Sequence, residues 1–385
     1  VVVAGSSSPV VVSGNTLQDN SNGIHVSGTA DPQVTGNTII NNGYGVRVDA
    51  VYSNATPAPV VTGNDIYGNT SYDYYAERFG TAVNETITLD ATGNWWGTTD
   101  PLAIAVAIYD FRDNGTYSPF VDYSGFLAGS GGSVVPGNQL AGVLGTNTTL
   151  AAGTTTTVLG TVRVPAGVTL TLEAGAQLQF VGGTRLWVDG TLLVNGTQVS
   201  PVVFTSLDTV SPARGDWVGI YVTASSTGTV IDHAQIRWAT RGVEVTGATT
   251  ATVSNSDIRE FSSYGVDYEA GAGGLISGNT IDNVDDVGQG IRLHNTVAVT
   301  VDANVVSNTQ HGVVVAGSSS PVVVSGNTLQ DNSNGIYVSG TADPQVTGNT
   351  IINNGYGVRA DAGYSTATPA PVVTGNDIYG NTAYD

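Results

Sequence analysis

The 385-residue chain contains no cysteine, no methionine and no lysine. Without cysteine there is no disulfide and no thiolate to hold zinc, copper or an iron–sulfur cluster, so stability must come from the fold itself. Without lysine there is no ε-amine to serve as base or Schiff-base nucleophile, and the basic residues are eleven arginines. Charged residues make up only 11%, and acidic ones dominate, giving a formal net charge of −20. Such a field repels nucleic acid and attracts divalent cations such as Ca²⁺, although net charge by itself fixes no site for one. No long apolar run suggests a membrane span. No leader or lipidation motif stands in the window, which opens inside a strand-like run and reads as a cut from something longer.

The residues present in quantity are Gly, at 51 copies, together with Val, Thr, Asn, Ser and Ala. Such a mixture favours short strands separated by tight corners, because β-branched side chains suit pleated surfaces while Gly and Asn accept positive φ. Helix should be scarce. The hydrophobic fraction of 40% is enough to fill a core along the whole chain.

The chain repeats at two scales. Val1 to Asp73 recurs as Val313 to Asp385, an offset of 312, with five differences: His25/Tyr337, Val48/Ala360, Val51/Gly363, Asn54/Thr366 and Ser71/Ala383. Within that period lies a shorter one, Gly-Asn-x-apolar, then Asn four or five residues on, then Gly-apolar-x-apolar. It reads GNTLQDNSNGIHV at Gly14, GNTIINNGYGVRV at Gly36 and GNTIDNVDDVGQGIRL at Gly278. The first Asn marks each coil at Asn15, Asn37, Asn64, Asn279, Asn304, Asn327, Asn349 and Asn376, at intervals of 22 to 27 residues. Ser256 and Ala234 take that slot further back, with Asn255 replacing the Gly. A leucine-rich repeat of similar period needs a Leu consensus and a return helix, and neither is present. Three short strands per turn of a right-handed parallel solenoid fit instead. Amides stacked at the strand spacing of about 4.8 Å can then hydrogen-bond along the axis, so the Asn slot is expected to be a structural ladder.

Two further segments carry a resemblance. Gly160 to Ile220 contains Gly190, Gly196, Pro201, Phe204, Thr205, Ser206, Gly215, Asp216 and Trp217 in a GT…GT…P…FTS…GDW series. TGNWWGTTDP places Asn94, Trp95, Trp96 and Gly97 ahead of Asp110 and Tyr123. In these motifs the chain resembles the right-handed parallel β-helix superfamily, in particular NosD-like and pectin-lyase-like secreted repeat proteins. The resemblance implies an all-β, three-sheeted parallel β-helix in tandem modules. Residues 1–126 would be the last coils and aromatic cap of one module, with Trp95 and Trp96 closing its core. Residues 127–150 would be a linker, and 151–385 the opening and middle coils of the next.

Fold alone does not set function, because this architecture hosts lyases, epimerases, adhesins and spikes. The outward residue of Gly-apolar-x-apolar reads Glu244, Asp267, Arg292, Val314, Tyr337 and Arg359 on successive coils. Two carboxylates beside an Arg are the best catalytic candidate, against a plain inter-coil charge ladder. Asp282, Asp285 and Asp286 could offer oxygens to Ca²⁺, but no Gly-anchored loop of alternating Asp frames them. His25, His233, His294 and His311 are scattered without metal-ligand spacing, which argues against copper handling. The aromatic cluster from Tyr67 to Phe126 suits either a cap or a glycan surface. The near-identical second copy favours a structural role, since reach scales with copy number. The expectation is therefore an extracellular filament or adhesin stalk at the cell surface, without enzymatic activity or cofactor, whose partners are its own copies and surface glycans. The alternative is a polysaccharide lyase or epimerase, or a glycan-binding protein.

Overall fold

The computed structural model describes residues 1–5, 10–362 and 368–385. Gly363 and Thr366, two of the positions that differ between the copies, lie outside the described residues. Among those described, the chain is a right-handed parallel β-solenoid whose strands run 2 to 10 residues, with one short helix, Pro101–Val106, and a 3₁₀ turn at Asn84–Thr86. Asp100 caps the helix by accepting from the Leu102 N–H at 3.0 Å. No helix is long and apolar enough to cross a membrane.

The described residues form two compact units. The first comprises Val1–Val143 with Thr156–Val162 and Phe180–Thr184. One of its sheets stacks Val2–Gly5, Asn22–Gly28, Tyr44–Ser53, Tyr72–Phe79 and Ile108–Tyr109. A second stacks Val11–Ser13, Gln33–Thr35, Val60–Thr62, Thr88–Asp90 and Phe120–Asp122, and a third stacks Thr16–Gln18, Thr38–Ile40 and Asp65–Tyr67. The second unit comprises Leu144–Thr155, Arg163–Gln179 and Arg185–Asp385. One wall of it is a ten-stranded sheet from Thr148–Leu150 to Val372–Thr374. Another carries Trp217–Val222, Ala239–Thr246, Tyr264–Glu269, Gln289–His294, His311–Ala316, Asn334–Ser339 and Tyr356–Asp361 in parallel register. Residues 127–150, expected as a linker, contain the strands Asn138–Val143 in the first unit and Thr148–Leu150 in the second.

Parallel register makes like residues meet. Val243, Val266, Ile291, Val313 and Ile336 form one inward column, all fully buried, and Ile258, Ile281, Val306, Leu329 and Ile351 form another. Each such side chain contributes about 2 to 3 kcal/mol of apolar burial. The corners need unusual backbone. In the Gly-Asn slot Gly278 has φ +66°, and the positions filled by other residues keep the same conformation, with Asn255 at φ 51° and Ala303 at φ 54°. The Gly of Gly-apolar-x-apolar serves a different purpose: a Cβ at Gly265 would sit 2.7 Å from the Gly290 carbonyl oxygen of the next coil.

The Asn slot forms a directional chain of amides. Asn15 donates from Nδ2 to Asn37 Oδ1 at 3.0 Å, Asn37 to Asn64 at 2.9 Å, and Asn64 to Asn94 at 3.0 Å. In the second unit Asn279, Asn304, Asn327, Asn349 and Asn376 repeat this at 2.8 to 2.9 Å. The backbone N–H of each Asn also donates to the same oxygen, and the remaining amide hydrogen goes to a carbonyl of the preceding coil, as Asn304 does to Ile276 O at 2.9 Å. At Ser256 the hydroxyl accepts from the Ala234 N–H and the backbone N–H donates to Asn279 Oδ1, while the hydroxyl hydrogen turns back to Ser254 O. A second ladder, from the later Asn of the repeat, runs Asn20, Asn42, Asn69 and ends on the Asp73 carboxylate; its counterpart runs Thr309, Asn332, Asn354, Asn381 and ends on Asp385.

Within the first unit the NWWG segment continues the third sheet. Trp95 pairs its backbone with Asn64 and Ile66, Asn94 ends the ladder, and Trp96 is buried while Trp95 is half-buried. Phe79, Phe120, Tyr123 and Phe126 fill the space beyond, and the Tyr123 hydroxyl donates to Leu159 O at 2.6 Å.

Replacing Asn304 by Ala orphans the backbone and side-chain donors of Asn279 and the Ile276 carbonyl, all buried. The variant should lose about 3 kcal/mol and the amide of Asn279 should exchange with solvent measurably faster. Asn15→Ala, at an exposed position, should change the urea midpoint little. Equal effects from the two substitutions would contradict a ladder whose value comes from burial.

Candidate functional site

The wall bearing the Gly-apolar-x-apolar strands turns alternate side chains outward, and parallel register lines them up in columns. One column is Trp187, Tyr221, Glu244, Asp267, Arg292, Val314, Tyr337 and Arg359. Beside it run Arg241, Tyr264, Gln289 and His311 on one flank, and Thr246, Glu269 and His294 on the other. The structure therefore brings Glu244, Asp267 and Arg292 together as the sequence spacing suggests, and adds Arg241, Tyr264 and Glu269.

Asp267 is the centre of this group. Its Oδ1 accepts from Arg292 Nε at 2.7 Å, while its Oδ2 lies 3.9 Å from Arg241 Nη1 and has no hydrogen-bond donor. Arg292 also reaches the Tyr264 hydroxyl from Nη1 at 3.2 Å and pairs with Glu269 through Nη2. Arg241 pairs with Glu244. The Tyr264 ring lies between the two guanidiniums, whose carbons are 4.5 and 5.3 Å from its centroid. These neighbours cover Asp267 completely, although its strand position points outward. A solvated charge ladder worth a few tenths of a kcal/mol is not what forms there.

Burial, assisted by Glu269 and Glu244 and opposed by Arg292, pushes the Asp267 carboxyl up to about 6. Burial and Glu244 also push the Tyr221 phenol upward. A carboxyl that exchanges its proton near neutrality, next to guanidiniums that stabilise negative charge, is equipped for general acid–base work. Arginine sits on both sides, with Glu269 facing His294 in register.

The other residues singled out in the sequence are placed apart from this group. His311 stacks on Tyr337 at 5.1 Å and is held below its ordinary value, chiefly by burial and also by Arg359. His233 pairs with Asp232 at 2.8 Å. Asp282 accepts from Ser307 and Asn308, while Asp285 and Asp286 sit in a corner at φ 73° and 54°. Among the described residues no three His, Asp or Glu side chains converge as a metal ion requires. Arg241 and Tyr264 escaped the sequence reading because a buried pair, Gly242 and Val243 in one strand and Gly265 and Val266 in the next, interrupts the in-out alternation, so the flanking column stands three residues, not two, before Glu244 and Asp267. Glu269, two residues beyond Asp267, was available from the alternation of the strand.

Residues 1–93, 209–351 and 242–384 match the family described as right handed beta helix region. The chain belongs to the right-handed β-helix family. Residues 142–236 also match a pectate-lyase like beta helix domain. No curated protein sequence matches the chain. Among solved structures, the β-helix protein is similar to the periplasmic alginate epimerase AlgG at 12% identity, over 91% of this chain and 76% of that one, with a TM-score of 0.46. It is also similar to an alginate lyase from Paenibacillus sp. str. FPU-7 at 15% identity, over 58% and 92% respectively, with a TM-score of 0.33. The pectate-lyase-like match corrects the expectation of a chain without enzymatic activity. That expectation rested on the tandem copy, and serial copies do not exclude chemistry on each.

The raised Asp267 pKa has a definite sign in stability. The folded state favours the protonated carboxyl, so ionisation above about pH 6 costs stability that returns as pH falls through 6 toward the ordinary carboxylate range. Asp73 and Asp110, also pushed up to about 6 by burial, act in the same direction. Measured by urea denaturation, the stability of the wild type relative to Asp267→Asn should therefore rise between pH 7.5 and pH 5, because the other two groups cancel in that difference. A flat or falling difference would show that Asp267 does not titrate in this range.

Proposed function

We propose that this β-helix protein acts on an acidic polysaccharide outside the cytoplasm, with the glycan lying along the outward columns around Asp267 and undergoing proton-transfer chemistry of the lyase or epimerase kind. The observation that carries the reading is Asp267 itself. It is a fully buried carboxyl with a pKa near 6, held by one guanidinium and faced by another, with one oxygen lacking a donor.

Elimination and epimerisation of a uronate both begin by removing the proton on the carbon next to the sugar carboxylate. Ionised Asp267 is the group suited to take that proton near neutral pH, once a sugar carboxylate draws Arg241 away from Glu244 and uncovers Oδ2. Arg241 and Arg292 then stabilise the negative charge that develops on the sugar carboxylate. Tyr264, whose hydroxyl accepts from Arg292, is the proton donor in this reading, to the sugar ring or to the leaving oxygen. Trp187 and Tyr221, in the same column, offer aromatic surface to neighbouring sugars. The pectate-lyase-like character of residues 142–236 supports this class of substrate.

A second reading concerns assembly, and its support is the copy of Val1 to Asp73 at Val313 to Asp385. Modules repeated in series would make an extended surface array in which each module presents its own glycan-facing wall.

The direct test is incubation with uronate polysaccharides in D₂O, with and without Ca²⁺. Deuterium entering the carbon next to the carboxylate, followed by NMR, reports both elimination and epimerisation. Wild-type protein should promote exchange, and Asp267→Asn should lower kcat/KM by on the order of 100-fold. Absence of exchange with every acidic polysaccharide, or an unimpaired Asp267→Asn variant, would overturn the reading.

A further inference from the structure

A different outward cluster lies on the first unit. Its strands Tyr44–Ser53 and Tyr72–Phe79 pair regularly from Tyr44↔Tyr72 to Asp49↔Glu77, and then the register breaks, so that Ser53 faces Phe79. Three residues of one strand stand against one of the other. Val51, Tyr52 and Arg78 all have positive φ, at 54°, 56° and 63°. β-Branched and aromatic residues resist that conformation, and such bulges are found where a sheet re-aims side chains for a purpose.

The bulge gathers cations around a single carboxylate. Arg47 and Arg78 both use Nη2 on Asp49, which is almost fully buried and also accepts from the Val51 N–H at 2.8 Å. Glu77, in register with Asp49, is taken up instead by the Tyr75 and Tyr109 hydroxyls and the Asn114 amide. Among the described residues three buried nitrogens of this cluster find no hydrogen-bond partner: Nε of Arg47, Nε of Arg78 and Nε2 of His25, the residue in register with Arg47. The guanidiniums still reach solvent, with side-chain exposures of 26% and 29%. Tyr52 covers Arg78 at 5.7 Å and is braced edge-on by Tyr117. The guanidiniums are felt locally: burial first, and then Arg47 and Arg78, holds His25 below its ordinary value, and burial first, and then Arg47, does the same to Arg78.

We propose that His25, Arg47 and Arg78, set by the bulge at Val51 and Tyr52, form an oxyanion-binding site for a carboxylate or sulfate group of the kind an acidic glycan carries. Both guanidiniums converge on Asp49 while Glu77, the other carboxylate there, is engaged by two hydroxyls and an amide, and the forked donors of arginine match a two-oxygen anion. The site would hold a glycan by its anionic groups without chemistry, and it does not depend on the role of Asp267. The second copy has Tyr337 in place of His25, so the copies differ at this site.

The experiment is calorimetric titration of the full chain with inorganic sulfate, with trigalacturonate and with neutral maltotriose. Arg78→Gly is the decisive variant, because glycine accepts the positive φ that arginine strains to hold. It removes the guanidinium while the thermal midpoint stays at or above the wild-type value. Wild-type protein should bind sulfate and trigalacturonate but not maltotriose, and Arg78→Gly and Arg47→Gln should each weaken that binding at least tenfold. A folded Arg78→Gly variant that binds as wild type does, equal binding of maltotriose, or no anion binding by the wild type would overturn the proposal. Binding that survives these changes but is lost in Asp267→Asn would overturn it too, and would assign the ligand to the Asp267 face.

Discussion

Everything in this solenoid depends on one constraint: each residue must tolerate its own equivalent about 4.8 Å above and below it. Apolar residues satisfy that by packing like on like, as in the Val243, Val266, Ile291 column. A buried polar residue satisfies it only if it is donor and acceptor at once along the axis. Asparagine does so, since its Oδ1 receives two donors from the preceding coil while its Nδ2 reaches forward. Where the side chain is shorter, as at Ser256, the hydroxyl accepts from one coil and the backbone N–H donates to the Asn279 amide oxygen of the next. Ending a second ladder on Asp73 is consistent with the same logic, because a carboxylate is a strong terminal acceptor for an amide.

With stability carried by the core and the ladders, the outward columns are released from structural duty, and there the same stacking rule has the reverse effect. Like charges in a column repel, so carboxylates and guanidiniums must alternate or borrow partners from the flanking columns. Around Asp267 the result is a group dense enough to exclude water from a carboxylate on an outward strand position. Three carboxylates share two arginines there. At the first-unit bulge two arginines share Asp49. A chain with no lysine builds both with a side chain whose fork can engage two partners at once.

Much of this was legible in the sequence. The period, the parallel winding, the positive φ of the Gly-Asn corner and the column order of Glu244, Asp267 and Arg292 follow from spacing, because parallel register turns sequence periodicity directly into spatial neighbourhood. What spacing could not give is what irregularity decides. The buried pair of Gly242 and Val243 breaks the alternation and leaves Arg241 facing outward within reach of Glu244 and Asp267, and the bulge at Val51 and Tyr52 turned Arg78 toward Asp49. The burial of Asp267 was also out of reach, since its strand position faces outward and only the neighbouring columns cover it. The step from a repeated chain to a non-catalytic one failed for a simpler reason: repetition constrains the fold and says nothing of the side chains that the fold leaves free.

The central claim, that the outward face around Asp267 receives an acidic glycan, is tested most directly by a crystal structure of the protein with a bound uronate oligosaccharide. The ligand is expected across the strands from Tyr221 to Arg292, with a sugar carboxylate against Arg241 or Arg292 and a ring carbon facing the Asp267 carboxyl. An oligosaccharide found instead against the ten-stranded sheet, with the Asp267 group undisturbed, would contradict the account.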